Sequence, residues 1–135
     1  MNKLHCILLV DDDYASNFLS QIIIESAQFA DHIHLTQNGA EALEFLQERF
    51  DEYPNAEGSA CPELILLDIN MPVMDGFEFL EEFDKLPLVR KNNISIVMLT
   101  SSNNRIDMER AKQYNVTAYL SKPLTEEKIK NLVIS

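Results

Sequence analysis

Basic residues are scarce in this sequence. Lys and Arg together number 11 against 22 Asp and Glu, which gives a formal net charge of −11. A protein that binds nucleic acid through its phosphates needs the opposite balance, so such binding is not expected. The same charge disfavours docking on an anionic membrane. The sequence also lacks any apolar run near the ~20 residues that a membrane-spanning helix requires.

Cysteines are equally few. Cys6 and Cys61 form neither a metal-binding spacing nor a disulfide framework, and we expect both to be reduced thiols. The N-terminus has no secretory signal peptide, because an apolar run over residues 7–10 leads directly into three aspartates instead of a small-residue cleavage site. These absences predict a cytoplasmic protein.

The length and hydrophobic content predict one folded domain. The chain has 135 residues, of which 46% are hydrophobic, and this content excludes intrinsic disorder despite the charge. A chain of this length holds one core, so we expect a single domain over residues 1–135 with no output domain.

Apolar runs of strand length alternate with segments of helical periodicity. The predicted strands are 4–10, 32–36, 64–67, 95–99 and 118–120, and the predicted helices are 13–27, 40–46, 76–83, 105–114 and 125–134. Strict alternation predicts a doubly wound α/β fold, in which helices cover both faces of a parallel sheet. The irregular stretch 51–62 is predicted to be a surface loop, with a partner or dimer contact as the alternative.

Polar side chains follow four of the predicted strands where each strand ends. They are Asp11–Asp13, Asp68, Thr100 and Lys122. In an open parallel sheet, ligands bind outside these carboxyl ends. Carboxylates held close together need a cation, and a small set of oxygen ligands favours Mg²⁺. A carboxylate beside Mg²⁺ and a lysine is a competent phosphoryl acceptor. Asp13 taken alone is most simply a helix N-cap.

The chain resembles the receiver domains of bacterial response regulators over essentially its whole length. Five segments in order carry the resemblance: ILLVDDD at 7–13, NGAEAL at 38–43, LLDINMPVMDG at 66–76, MLTS at 98–101 and YLSKP at 119–123. The resemblance implies a flavodoxin-like sheet of strand order 2-1-3-4-5. It also implies a role in two-component or phosphorelay signal transduction, and catalysis only of the protein's own phosphorylation and dephosphorylation.

The resemblance implies a phosphoacceptor and a metal site. Asp68 would take a phosphoryl group from the phosphohistidine of a sensor histidine kinase or a histidine phosphotransfer protein. Asp12 would bind Mg²⁺ directly, with Mn²⁺ as an alternative, and Asp11 would act through water. Asp68 and the backbone carbonyl of Asn70 would complete the metal ligands.

The resemblance also implies a switch. Lys122 would pair with Asp68 and then with the phosphoryl group, and a cis bond before Pro123 would aim it. Thr100 would move to hydrogen-bond the phosphoryl group, and Tyr119 would turn inward behind it. The face formed by helix 4, strand 5 and helix 5 would then change shape for a protein partner. Asn115 stands where the family usually has glycine, and we expect little effect because asparagine tolerates the left-handed conformation.

Some alternatives stay open. The sequence does not choose between an effector that binds a target and a phosphorelay intermediate, and it identifies neither the kinase nor the downstream protein. An enzymatic alternative is a haloacid-dehalogenase-type phosphatase, which would use Asp11 and Asp13 and for which Thr100 and Lys122 supply later motifs. The sequence lacks the further acidic pair and the cap domain that such a phosphatase would have. The phosphatase interpretation also leaves Asp68 unexplained.

Overall fold

The computed structural model describes residues 3–52, 62–86, 94–101 and 105–132, in which five strands alternate with five helices. The strands are β1 (Leu4–Val10), β2 (Ala30–Thr36), β3 (Leu64–Leu67), β4 (Ser95–Thr100) and β5 (Ala118–Ser121). The helices are α1 (Tyr14–Ser26), α2 (Gly39–Glu52), α3 (Gly76–Asp84), α4 (Arg105–Ala111) and α5 (Glu126–Lys130). None of these helices combines the length and hydropathy needed to cross a membrane.

The five strands form one parallel sheet with the order β2-β1-β3-β4-β5. This confirms the predicted fold. Side chains alternate between the two faces of a strand, so β1 contributes to two cores. Leu8 and Val10 pack with residues of α2, α3 and α4, whereas Ile7 and Leu9 pack with residues of α1 and α5. The near-continuous apolar runs follow from this burial on both faces.

Side-chain caps fix where three helices begin. Asp13 accepts a hydrogen bond from the Ala15 N–H at 3.0 Å, as its predicted N-cap role requires. Asp75 and Glu78 form a reciprocal capping box at the start of α3. Thr125 accepts from the Lys128 N–H at 3.2 Å and caps α5. These caps fix the first turns of the helices that follow β1, β3 and β5 along the chain.

Several element bounds differ from the sequence prediction. Strand β2 begins at Ala30, two residues early, because Ala30 already pairs with Leu4. Helix α4 ends at Ala111, and the chain continues to Tyr114 through tight turns such as Tyr114 N–H to Ala111 O at 3.1 Å. Helix α5 ends at Lys130. The loop residues 53–61 and the end of the predicted last helix, 133–134, lie outside the described residues.

Asn115 does not adopt the left-handed conformation that the family comparison suggested. Among the described residues, the non-glycine residues with positive φ are Gln28, at 51°, and Val73, at 67°. Gln28 directly follows the C-cap of α1, where its N–H bonds to the Glu25 carbonyl at 3.0 Å. Glutamine therefore occupies the position that glycine usually takes after a helix.

Candidate functional site

Three carboxylates meet at the carboxyl edge of the sheet. Oxygens of Asp11, Asp12 and Asp68 all lie within 4.8 Å of one another. Backbone bonds that continue the strand pairing hold two of these residues, since the Asp68 N–H donates to Val10 O at 2.9 Å and the Asp11 N–H to Thr36 O at 3.1 Å. The predicted convergence of strand ends is therefore present.

Lys122 reaches into this cluster from the end of β5. Its Nζ lies 2.7 Å from Asp11 Oδ2 and 3.5 Å from Asp68 Oδ1. The resemblance implied pairing with Asp68, and the structure adds a shorter contact with Asp11. Its backbone N–H donates to Thr100 O at 2.6 Å, which holds the residue next to β4. The bond from Lys122 to Pro123 is cis.

Burial and a neighbouring negative charge raise the pKa of Asp68 above the value usual for an aspartate. Its side chain is 11% exposed. Burial is the larger cause and the Asp11 carboxylate the next, and together they raise the pKa of Asp68 to about 6, although Lys122 opposes the rise. Burial alone would lower the pKa of the Lys122 ammonium. The hydrogen bond to Asp11 and the two carboxylate charges outweigh burial, so the pKa of Lys122 is raised.

The donor set fits a divalent cation bound through oxygen. Asp11 and Asp68 are buried, whereas Asp12 is exposed at the rim, so the cluster opens to solvent on one side. Hard carboxylate oxygens suit Mg²⁺ or Mn²⁺ rather than a thiolate-seeking metal. A cation would also offset the repulsion that raises the pKa of Asp68. Asn70 lies two residues after Asp68 in the loop that follows β3, and its carbonyl role stays a prediction.

Thr100 and Tyr119 lie together on β4 and β5. Thr100 ends β4 and is 1% exposed. The Tyr119 hydroxyl is buried and, within the part of the chain that the structure describes, makes no hydrogen bond. Burial raises the pKa of the Tyr119 phenol. The Thr100 hydroxyl is near enough to oppose that rise but does not reach hydrogen-bonding geometry.

The loop after β3 brings its backbone tightly against Asp68. Met74 N–H bonds to Pro72 O at 2.7 Å across Val73, whose φ of 67° is rare for a β-branched residue. A Cβ added to Gly76 would lie 2.4 Å from the Asp68 carbonyl oxygen. Glycine at this position therefore lets the first turn of α3 approach the backbone of Asp68.

One buried residue near the site was missed by the sequence reasoning. Asn17 of α1 donates from its side-chain amide to the Asp11 carbonyl oxygen at 2.8 Å and so helps to fix the loop after β1. Helical periodicity gave no signal for it, because the apolar pattern of α1 lies largely on the exposed side of the helix, whereas the buried side carries Asn17, Ser20 and Ile24. Asn17 also lines a cleft of about 440 Å³ between α1 and the end of β2, together with Asp12, Phe18 and Leu35.

The outer side of α1 exposes large apolar side chains next to Asp12. Tyr14 is 82% exposed, Phe18 54% and Ile22 42%, and their four-residue spacing places them on one side of the helix. We call these three residues the α1 ridge. Large apolar side chains that are exposed on successive turns of a helix are typical of an interaction surface.

Comparisons with known proteins agree on one family. The family model of the response regulator receiver domain matches residues 7–134. The chain is 36% identical over 116 residues to the response regulator Rcp1 of Synechocystis sp., covering 86% of this chain and 75% of Rcp1. A two-component response regulator from Cytophaga hutchinsonii matches with a TM-score of 0.82 and 31% identity, covering 96% of this chain and 94% of that one. The Mn²⁺-bound form of Rcp1 matches with a TM-score of 0.71 and 34% identity, covering 93% and 87%.

The phosphatase alternative is wrong. It needed Asp13 beside Asp11 as a catalytic carboxylate, but the Asp13 carboxylate caps α1, and the acidic cluster is completed by Asp68 instead. The matched family model is also not that of a phosphatase.

Proposed function

Because this chain belongs to the response regulator receiver domain family, which acts in two-component signalling, we propose that Asp68 is its phosphoacceptor. The single observation that carries this proposal is the position of the Asp68 carboxylate. It follows a buried central strand, lies 3.5 Å from a lysine Nζ and shares a cluster with two further carboxylates. That combination of a carboxylate nucleophile and neutralising groups is what phosphoryl transfer requires.

The donor is a phosphohistidine on a histidine kinase or a histidine phosphotransfer protein. The bond from phosphorus to the donor's imidazole nitrogen breaks as a bond to an Asp68 carboxylate oxygen forms, and the electron pair of the broken bond stays on the imidazole. Asp68 must be ionised to attack, and a bound cation would favour the ionised form by opposing the effects that raise its pKa in the metal-free protein. The Lys122 ammonium lies where it can follow the developing charge from the carboxylate to the phosphoryl oxygens.

Asp11, Asp12, Asp68 and the backbone carbonyl of Asn70 are the proposed metal ligands. We assign Mg²⁺ to this site, with Mn²⁺ as an alternative; the similarity to the Mn²⁺-bound form of Rcp1 supports a divalent metal. The bound cation neutralises the clustered carboxylates and the charge of the phosphoryl oxygens. Asp11 pairs with Lys122 and also belongs to the carboxylate cluster, so it links the lysine to the other two aspartates.

Thr100 and Tyr119 form the proposed switch. The Thr100 hydroxyl moves to donate to a phosphoryl oxygen, and the Tyr119 ring follows into the space behind it. The Tyr119 hydroxyl is buried and makes no hydrogen bond among the described residues, so the ring can turn without giving one up. The face formed by α4, β5 and α5 carries the change to a protein partner.

The α1 ridge supports a protein as the phosphoryl donor. Asp12 belongs to the acidic cluster and also lines the cleft beside Phe18, so a protein that delivers a phosphoryl group to Asp68 must cover this rim. We expect Phe18→Asp to slow transfer from a phosphorylated histidine kinase and to leave phosphorylation by acetyl phosphate unchanged. Equal slowing of both reactions would argue against docking on the ridge. We propose a cytoplasmic location for this protein, since the phosphoryl-donating domains of such kinases face the cytoplasm.

Intact mass after incubation with acetyl phosphate tests the proposal. The wild type gains one phosphoryl group when Mg²⁺ is present, and Asp68→Asn does not. Asp31→Asn is the matched control, since Asp31 is an exposed carboxylate paired with Lys3 at 3.2 Å. Equal labelling of the Asp68 variant would overturn the assignment. If the wild type neither gains a phosphoryl group nor binds beryllofluoride, the site is inactive.

A further inference from the structure

We propose that Lys128 of α5 is a positioning residue that holds Lys122 in place, an inference that rests on the proposed function of Asp68. Lys128 does not touch the carboxylate cluster. It acts through the backbone on either side of Lys122, and its effect on the reaction is transmitted by the Lys122 ammonium.

The contacts of Lys128 surround Lys122 along the chain. The Lys128 Nζ donates to the Ser121 carbonyl oxygen at 2.7 Å and to the Pro123 carbonyl oxygen at 2.9 Å. A third contact reaches Ser121 Oγ at 3.2 Å. One ammonium group therefore binds the residue before Lys122 and the residue after it. Hydrogen bonds from an ionised donor are about twice as strong as those between neutral groups.

The backbone at this point needs such support. β5 is an edge strand, so a neighbouring strand flanks it on one side only. The Lys122 N–H bonds to Thr100 O on that side. Pro123 has no N–H with which to extend the pairing. Beyond Lys122 the chain leaves the sheet, and the Lys128 ammonium supplies bonds to the two carbonyls that flank it.

Lys128 is itself held by its helix. Its N–H bonds to the Thr125 cap at 3.2 Å. The next residue, Ile129, is 1% exposed and packs in the core that α5 shares with Ile24 of α1. The ammonium thus links the loop that carries Lys122 to a helix anchored in the core.

The consequence is geometric. The Lys122 Nζ has to stay near two carboxylates, at 2.7 Å from Asp11 and 3.5 Å from Asp68, while a phosphoryl group is transferred from the donor to Asp68. A displacement of ~1 Å at a catalytic group is enough to slow a reaction substantially. Loss of the Lys128 contacts frees the loop to make such displacements.

Three variants test the proposal. Lys128→Met removes the hydrogen bonds, Lys128→Arg keeps a donor of the same charge, and Lys130→Met is the matched control. Lys130 lies on the same helix, and its ammonium pairs at the exposed surface with Glu126 at 2.9 Å. The measurements are the rate of phosphorylation by acetyl phosphate, the affinity for Mg²⁺ by calorimetry and the thermal unfolding midpoint.

We expect Lys128→Met to lower the phosphorylation rate about three- to tenfold, and Lys130→Met to change it by less than about twofold. Lys128→Arg recovers most of the rate. Mg²⁺ binding to Lys128→Met is no weaker than to the wild type, because the three carboxylates are untouched. This separation of rate from metal affinity distinguishes positioning of Lys122 from general damage to the fold.

Two results would overturn the inference. One is equal rates for Lys128→Met and Lys130→Met. The other is a parallel fall of rate, Mg²⁺ affinity and unfolding midpoint, which would show a merely structural role. If the wild type neither gains a phosphoryl group nor binds beryllofluoride, the proposed function fails and this inference fails with it. That outcome is recognised in the wild type before any variant is compared.

Discussion

Replacing Asp68 with asparagine should make the metal-free protein more stable, although it abolishes phosphorylation. Asparagine keeps the shape of the side chain and removes its charge. In the structure that charge is buried and lies in the same cluster as the Asp11 carboxylate. Lys122 keeps its shorter contact, 2.7 Å to Asp11, so the variant does not leave a buried ammonium without a partner.

The size of the effect follows from the pKa. Burial and the Asp11 charge raise the pKa of Asp68 from 3.8 to about 6. Each pKa unit corresponds to about 1.4 kcal/mol, so the full shift amounts to about 3 kcal/mol of destabilisation at neutral pH. The site opens to solvent at Asp12, and salt screens the repulsion. We therefore expect a gain of about 1–2 kcal/mol, or roughly 3–8 °C in the unfolding midpoint.

The pH dependence has a definite sign. Between pH ~4 and about 6 the folded wild type holds a proton on Asp68 that the unfolded chain has lost. The contribution of Asp68 to the stability of the wild type therefore falls as the pH rises through this window. The asparagine variant has no such group. Its advantage over the wild type is small near pH ~4 and complete above about pH 7.

Thermal unfolding of both proteins across this range, without and with Mg²⁺, measures the effect. Asp31→Asn is the control, because it removes one exposed carboxylate and should change stability by less than about 0.5 kcal/mol. Mg²⁺ should reduce the difference in stability between the two proteins. The wild type keeps all three carboxylates, so it should bind the ion more tightly and be stabilised more than the variant. A metal-free Asp68→Asn protein that is less stable than the wild type at neutral pH would refute the reasoning and show that the pairing with Lys122 outweighs the repulsion.

Three further predictions concern the same site. Gly76→Ala places a Cβ 2.4 Å from the Asp68 carbonyl oxygen, and it should cost about 1–3 kcal/mol and slow phosphorylation by acetyl phosphate; an unchanged rate would show that Asp68 is not displaced. Val73→Gly relieves a φ of 67° at a side chain that is 82% exposed, and it should stabilise the protein by about 0.5–1 kcal/mol in urea unfolding. Tyr119→Phe removes a buried hydroxyl that lacks a hydrogen bond among the described residues, and it should raise stability by about 1 kcal/mol; a loss of stability would place a hydrogen bond there.

The strand ends were the part of the site that the sequence predicted best. Buried strands are near-continuous apolar runs, so an acid directly after such a run marks the end of the strand, as at Asp11 and Asp68. Because parallel strands share one carboxyl edge, those ends had to meet. The strand order itself came from the resemblance to a known family, since alternation alone predicts a parallel sheet but not its order.

Contacts made by long side chains could not be predicted in the same way. The shorter contact of Lys122 is with Asp11 instead of Asp68, which depends on side-chain rotamers across the sheet and leaves no trace in local periodicity. Nothing in the sequence pattern distinguishes Lys128 from Lys130, the other lysine of the same charged helix. The early end of α4 at Ala111 was missed for another reason: the apolar pattern continues to Tyr114, whereas the backbone changes to tight turns.

The candidate site is divided between a central strand and an edge strand. Asp68 follows β3, whose four residues are all buried, whereas Tyr119 and Lys122 belong to β5 and its end, where burial is partial and one side has no strand. Amide hydrogen exchange should reflect this division, with β3 exchanging only on global unfolding and β5 through local opening. A signal that acts on β5 then has to shift only a low-energy fluctuation of the edge, while Asp68, the proposed phosphoacceptor, stays fixed.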